Sequence, residues 1–191
     1  EEFINNIIDV VIKYDLDGIN LDFENIYEAD KNAYSKLVLE LAPRLREIGK
    51  VLSVDVTAPD GSADWSLCYN RNLIAKTADY IVFMAYDQNG ISSTEPGTTA
   101  GYDWVETNLN KFLKQEEVDS EKIILGIPFY TRIWKTNEEG KSTSEVVFMK
   151  DTYKKIPSDA SIEWDDTLKQ NYAEYKQNGA TYRVWIEDIK S

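Results

Sequence analysis

The stretch Asp17-Gly18-Ile19-Asn20-Leu21-Asp22-Phe23-Glu24 constrains this chain more than any other. Its alternation reads as a strand over 17–24, with Asn20, Asp22 and Glu24 on one face and Ile19, Leu21 and Phe23 on the other. The flanking segments have helical spacing, so the strand is expected to be covered on both faces, as in a parallel sheet whose strands are normally apolar runs. Acids placed there are costly unless they have a task. Same-face positions lie about 6.5–7 Å apart along a strand, close enough for Asp22 and Glu24 to share a proton. Two neighbouring carboxylates do not readily both ionise, and the one kept protonated can serve as a general acid near neutral pH.

The rest of the chain alternates helix and strand. Phe3, Ile4, Ile7, Ile8 and Val11 form a stripe over 2–13, and Tyr34, Leu37, Val38, Leu41, Leu45 and Ile48 form one over 30–48. Gly49 is the expected stop of the second helix, and Pro43 is expected to bend or restart it. Strands are predicted at 51–58, 80–87, 122–130 and 182–187, and helices at 70–77 and 104–117. A Gly-, Ser- and Thr-rich loop covers 88–101. Residues 134–181 break the rhythm and are read as an elaboration with a helical stretch around 146–153. It also carries a hairpin turning at Gln177-Asn178-Gly179. The order predicts a parallel sheet with crossover helices. Polar residues gather at C-terminal strand ends (Asp22, Glu24, Tyr86, Asp87, Tyr130), where (β/α) barrels place their sites. The fold class expected is α/β of the TIM-barrel type. Only five strands are legible where a barrel has eight.

Composition narrows the chemistry. With 34 acidic and 21 basic residues the net charge is −13, which repels nucleic acid. The chain has no histidine, which excludes Ser-His-Asp and Cys-His catalysis and every His-ligated metal site. Cys68 is the single cysteine and is expected to be a small buried apolar residue. No metal site and no cofactor are expected; a calcium loop around Asp15, Asp17 and Gly18 is disfavoured because its glycine would come too early. No signal segment or membrane span is read, and no membrane partner is expected. The chain opens inside a helical segment, so upstream sequence is expected.

With these residues in place, the sequence resembles the family-18 glycoside hydrolases, the chitinase-like group. The family's Asp-x-x-Asp-x-Asp-x-Glu strand motif reads here as Asp17, Asn20, Asp22 and Glu24. Met84-Ala85-Tyr86-Asp87 resembles its Met-x-Tyr-Asp segment. Gly126-Ile127-Pro128-Phe129-Tyr130-Thr131-Arg132 resembles its Gly-x-Pro-x-Tyr-Gly-Arg segment, with Thr131 standing for Gly. Val184-Trp185 resembles its final strand. The likeness runs over nearly the whole chain and looks nearest to bacterial spore and cell-wall members.

The resemblance implies a partial barrel, its fourth to eighth strands, forming one catalytic domain over 1–191 truncated at the N-terminus, with the elaboration inserted over 134–181. It implies cleavage of β-1,4-linked N-acetylglucosamine chains, chitin-like or peptidoglycan, with retention by substrate assistance. Glu24 would be the general acid, Asp22 would hold the N-acetyl group, and Tyr86 would donate to the acetamido oxygen. Asp87 would bind the same sugar over a Trp185 floor; Tyr130 and Arg132 would line nearby subsites, and Asp17 and Asn20 complete the substrate-binding set. Asn20 stands where the family has Asp and removes a charge beneath Asp22. The resemblance also implies an extracellular, cell-wall or spore-associated place. Other readings remain open: Asp22 and Glu24 as a structural acid pair, Tyr86 and Asp87 as a strand-end cap, Trp185 as plain core, Arg132 as an ion-pair partner, and the chain as a sugar-binding module without turnover. Bare sheet edges also allow self-association.

Overall fold

A computed structural model describes all 191 residues. In chain order the elements are α1 (Glu2–Lys13), β1 (Gly18–Leu21), α2 (Lys31–Glu47), β2 (Val51–Val56), α3 (Arg71–Thr77), β3 (Tyr80–Met84), α4 (Tyr102–Lys114), β4 (Ile123–Gly126), β5 (Tyr130–Thr136), β6 (Ser142–Phe148), α5 (Met149–Lys155), β7 (Ile162–Asp165), β8 (Gln170–Gln177) and β9 (Ala180–Ile186). The chain is α/β and divides into two compact units, 1–84 with 108–126, and 85–107 with 127–191. No helix is long and apolar enough to cross a membrane.

The first unit is a four-stranded parallel sheet in the order β1-β2-β3-β4. Its helices form where the apolar stripes predict them. On the sheet, Leu21, Val54 and Ile81 are aligned in register and buried. Ile4, Ile8 and Val11 of α1, Val38, Leu41 and Leu45 of α2 and Ile74 of α3 supply the helical share of the buried core. Phe83 and Phe112 meet at 4.8 Å. Fully burying each such side chain stabilises the unit by roughly 1.5–3 kcal/mol. Gly49 (φ 69°) closes α2 with bonds from Gly49 N to Arg46 O and Lys50 N to Leu45 O, a Schellman ending. Pro43 does not restart α2, which runs through it as one helix. The carbonyl it leaves without a donor belongs to Leu39, on the solvent side of the helix, where water can serve it.

The acidic strand is shorter and more open than its alternation suggested. β1 ends at Leu21, and Asp22, Phe23 and Glu24 follow it as irregular chain. Asn20, Asp22 and Glu24 are exposed rather than covered on both faces. The buried apolar groups lie on the Leu21 side of the sheet, so the acids are not forced out of water and their expected desolvation cost is largely avoided. Gly18 sets the start of the strand. A Cβ there would lie 2.2 Å from the carbonyl oxygen of Val51, its register partner in β2. Gly18→Ala must push the two backbones apart, and we expect it to cost about 2 kcal/mol, the scale of other steric overpacking, read as a lower urea midpoint.

The second unit is a five-stranded antiparallel sheet in the order β6-β5-β9-β8-β7. The predicted hairpin is present: β8 and β9 are joined by Asn178 (φ 50°) and Gly179 (φ 73°), the positive pair a type I′ turn requires. Ile133, Val147, Ile156, Ala173, Val184 and Ile186 form its core. Two expectations change. The stretch 122–130 is two strands, because Pro128, which has no N–H for a ladder, falls between β4 and β5. The last strand is not a parallel barrel strand; β9 pairs antiparallel with β5 and β8. The segment read as an elaboration has itself become strand, and it supplies β9 with a partner two residues away.

Candidate functional site

The site residues named from sequence fall on both units. In the first, Asp22-Phe23-Glu24 leaves the C-terminal end of β1. A buried tyrosine fixes the middle of this tripeptide: the Tyr69 hydroxyl donates to the Phe23 carbonyl at 2.7 Å. Phe3, Phe23, Tyr34 and Tyr69 continue as an aromatic chain with successive ring spacings of 6.5, 5.4 and 5.9 Å. Burial pushes the Tyr69 phenol well up, and the charges of Glu24 and Asp22 add to the rise. It therefore stays a neutral donor. Both acids are thus within electrostatic reach of the ring that holds the peptide between them.

Beneath them, Asn20 donates to Asp55 Oδ1 at 2.7 Å and to Ser53 Oγ at 2.9 Å. Burial raises the Asp55 carboxyl, the bond from Asn20 lowers it, and Asp22 raises it again. An acid at position 20 would face Asp55 as a like charge, whereas the amide supplies a donor. Asp17 lies at the other end of β1, where its carbonyl accepts from Val51 N. Five residues of extended chain separate it from Asp22, roughly 16 Å, so the motif's first acid is not beside its last.

In the second unit, Asp87 follows β3 with a left-handed backbone (φ 55°), which Asp tolerates better than most side chains. Its carboxylate accepts from the Tyr130 hydroxyl at 2.7 Å and pairs with Arg132 Nη2 at 3.4 Å. Arg132 is buried, not a surface ion-pair residue. Tyr86 meets Tyr130 edge-on at 6.5 Å. Trp185 is half-buried and packs against Tyr172 at 4.9 Å. Burial, followed by the bond to Asp87, holds the Tyr130 phenol above its ordinary range, so Tyr130 remains a donor. The structure therefore brings Asp87, Tyr130, Arg132 and Tyr86 into one cluster. No group of three His, Cys, Asp or Glu side chains is placed to hold a metal ion.

The profile of the glycosyl hydrolases family 18 matches residues 1–191. The chain belongs to that family. Among its relatives are an uncharacterized glycosylase, YvbX, of Bacillus subtilis (33% identical over 146 residues, 75% of this chain and 42% of that protein). The cortical fragment-lytic enzyme of Bacillus anthracis is another (26% over 200 residues, 100% and 45%). The chain spans about half the length of the curated relatives it matches. The crystal structure of a chitinase from Chromobacterium violaceum superposes with a TM-score of 0.87 at 27% identity, covering 97% of this chain and 58% of that one.

Within this family-18 chain, three residues escaped the sequence reading. Asp55 was legible, since Ser53 and Asp55 alternate with Leu52, Val54 and Val56 as the acids of β1 do. Tyr69 and Glu187 carried no local signal. Their partners, Phe23 O and Ala100 N, are backbone atoms 46 and 87 residues away.

Proposed function

We propose that this chain is the site-bearing part of a glycosidase acting on β-1,4-linked N-acetylglucosamine chains, chitin-like or peptidoglycan, with retention by substrate assistance. The observation that carries it is the Asp22-Phe23-Glu24 tripeptide, leaving the C-terminal end of a parallel strand with its central carbonyl pinned by Tyr69. That is the end at which barrel sites form, and we take β1 to β4 as barrel strands four to seven of one catalytic domain.

In the reaction, Glu24 gives its proton to the glycosidic oxygen as the C–O bond breaks. The acetamido oxygen of the substrate forms the new bond to the anomeric carbon, giving an oxazolinium ion, and Asp22 holds the acetamido N–H. Water then opens that ring and returns a proton to Glu24. In the second unit, the family motifs assign Tyr86 as a donor to an acetamido oxygen, Asp87 as a sugar-hydroxyl contact and Trp185 as a ring for an apolar sugar face. Tyr130 and Arg132 hold Asp87. A spore or cell-wall setting follows from the same reading, supported by the cortical fragment-lytic relative.

The test is hydrolysis of the N-acetylglucosamine tetramer followed by chromatography, with binding measured by calorimetry. Asp87→Ala is expected to weaken binding about tenfold, the scale of one charge-assisted hydrogen bond. Binding without product would favour a sugar-binding module, and the absence of both binding and product would remove the proposal.

A further inference from the structure

Glu187 is 4% exposed, at the end of β9, and no role in the proposed reaction uses it. Its Oε1 accepts from Ala100 N at 3.2 Å and from Gln170 Nε2. Gln170, 1% exposed, accepts in turn from the Thr98 hydroxyl and donates to Ala100 O at 3.4 Å. The Glu187 backbone N–H donates to the Thr131 hydroxyl at 2.9 Å, so the threonine that stands for the family's glycine is itself used. On the far side, Thr98 O accepts from Asn89, Gly97 O from the Trp134 indole, and Gln88 N donates to Thr99 O. Residues 97–101 are therefore tied to β8 and β9 at one end and to 88–89 at the other. Residues 88–89 directly follow Tyr86 and Asp87.

We propose that Glu187 is a positioning residue, a proton-dependent clamp that sets the loop carrying Tyr86 and Asp87. It rests on the reading of Asp87 as a sugar contact, and it acts through the loop without touching substrate. Burial pushes the Glu187 carboxyl up to about 7, opposed by the Gln170 and Ala100 donors and by Ser191, while the neighbouring Asp188 adds to the rise. Asp188 is itself held by Tyr153 and Asn171 and lies near Lys190. A carboxyl whose closed-state pKa is raised binds its proton more tightly when clamped than when opened to water. Closure is therefore favoured below the ordinary carboxylate value and loses that advantage as pH rises through about 7, where the clamp has the more buried charge to carry.

Hydrogen exchange of residues 97–101, corrected for the intrinsic pH dependence, tests this on the intact chain at pH 5.5 and 8.5. Protection is expected to fall at least tenfold at the higher pH. In Glu187→Gln, whose side chain copies the shape of the protonated acid, the two values should agree within twofold. Affinity for the N-acetylglucosamine tetramer should fall with pH in the wild type and stay level in the variant. Equal protection at both pH values in the wild type, a measurement that needs no substitution, would overturn the clamp. So would a wild-type step that survives in Glu187→Gln. A protection step without any tetramer binding would support the clamp and remove the sugar-binding reading instead.

Discussion

Glu24→Gln is expected to lower the rate of tetramer hydrolysis by two to four orders of magnitude, the usual contribution of general acid catalysis. The amide keeps the length and shape of the acid but has no proton that it can give to an oxygen leaving group. Nothing else in the chain takes over easily, because there is no histidine. Asp55 also has a raised carboxyl, but it is already committed to Asn20. Tetramer binding should change little, because the lost proton matters in the transition state and not in the ground state. The loss should thus appear in kcat with KM roughly unchanged. Wild-type turnover by Glu24→Gln would dismiss Glu24 as the acid. An equal loss in tetramer binding would recast it as a binding residue.

How much of this was legible in the sequence depended on how local the cause was. Asn178-Gly179 dictates its turn by itself, and the acids of 20, 22 and 24 announce themselves by alternation. The end of β1 at Leu21 is not a local property, because the ladder needs a facing residue: Leu21 pairs with Val54 and the register stops there. Pairing between β5 and β6 runs through the charged turn 137–141, which has no Asn-Gly or Asp-Gly signal, so local pattern alone gives an irregular elaboration there. The antiparallel place of β9 is hidden with it. In sequence Asn20 is only a charge removed; its use is visible once Asp55 of the neighbouring strand stands beside it. Arg71 was unreadable for the same reason. A buried arginine is defined by the carbonyls around it, and these come from a loop 13–14 residues upstream.

Arg71→Met is expected to destabilise the first unit by about 3–5 kcal/mol, the range for breaking one side of a buried charged network. Arg71 is 1% exposed. It donates to Thr57 O at 2.8 Å, Ala58 O at 3.2 Å and Ser66 Oγ at 3.0 Å. It also lies 5.5 and 5.6 Å from the Tyr69 and Phe112 ring centres. Burial pulls the guanidinium below its ordinary range, and Glu116 opposes this. Methionine fills similar volume but leaves the Thr57 carbonyl without its donor, at a cost of about 1–3 kcal/mol, and strips one of three donors from Ala58 O, which keeps the Ser66 hydroxyl and Asp60 N. The Glu116 contact is the minor part, since at 3.7 Å and with its side chain 31% exposed it is a long and partly solvated pair. Glu116→Gln should therefore cost under about 1 kcal/mol. A urea midpoint shifted equally by the two variants would show that the ion pair, and not the carbonyl network, carries the stability. The effect reaches function because the segment Arg71 braces, 57–69, ends at Tyr69. Once that hydroxyl is free to leave the Phe23 carbonyl, the peptide between Asp22 and Glu24 loses its fixed point. Arg71→Met should accordingly lower kcat even at temperatures well below its own midpoint.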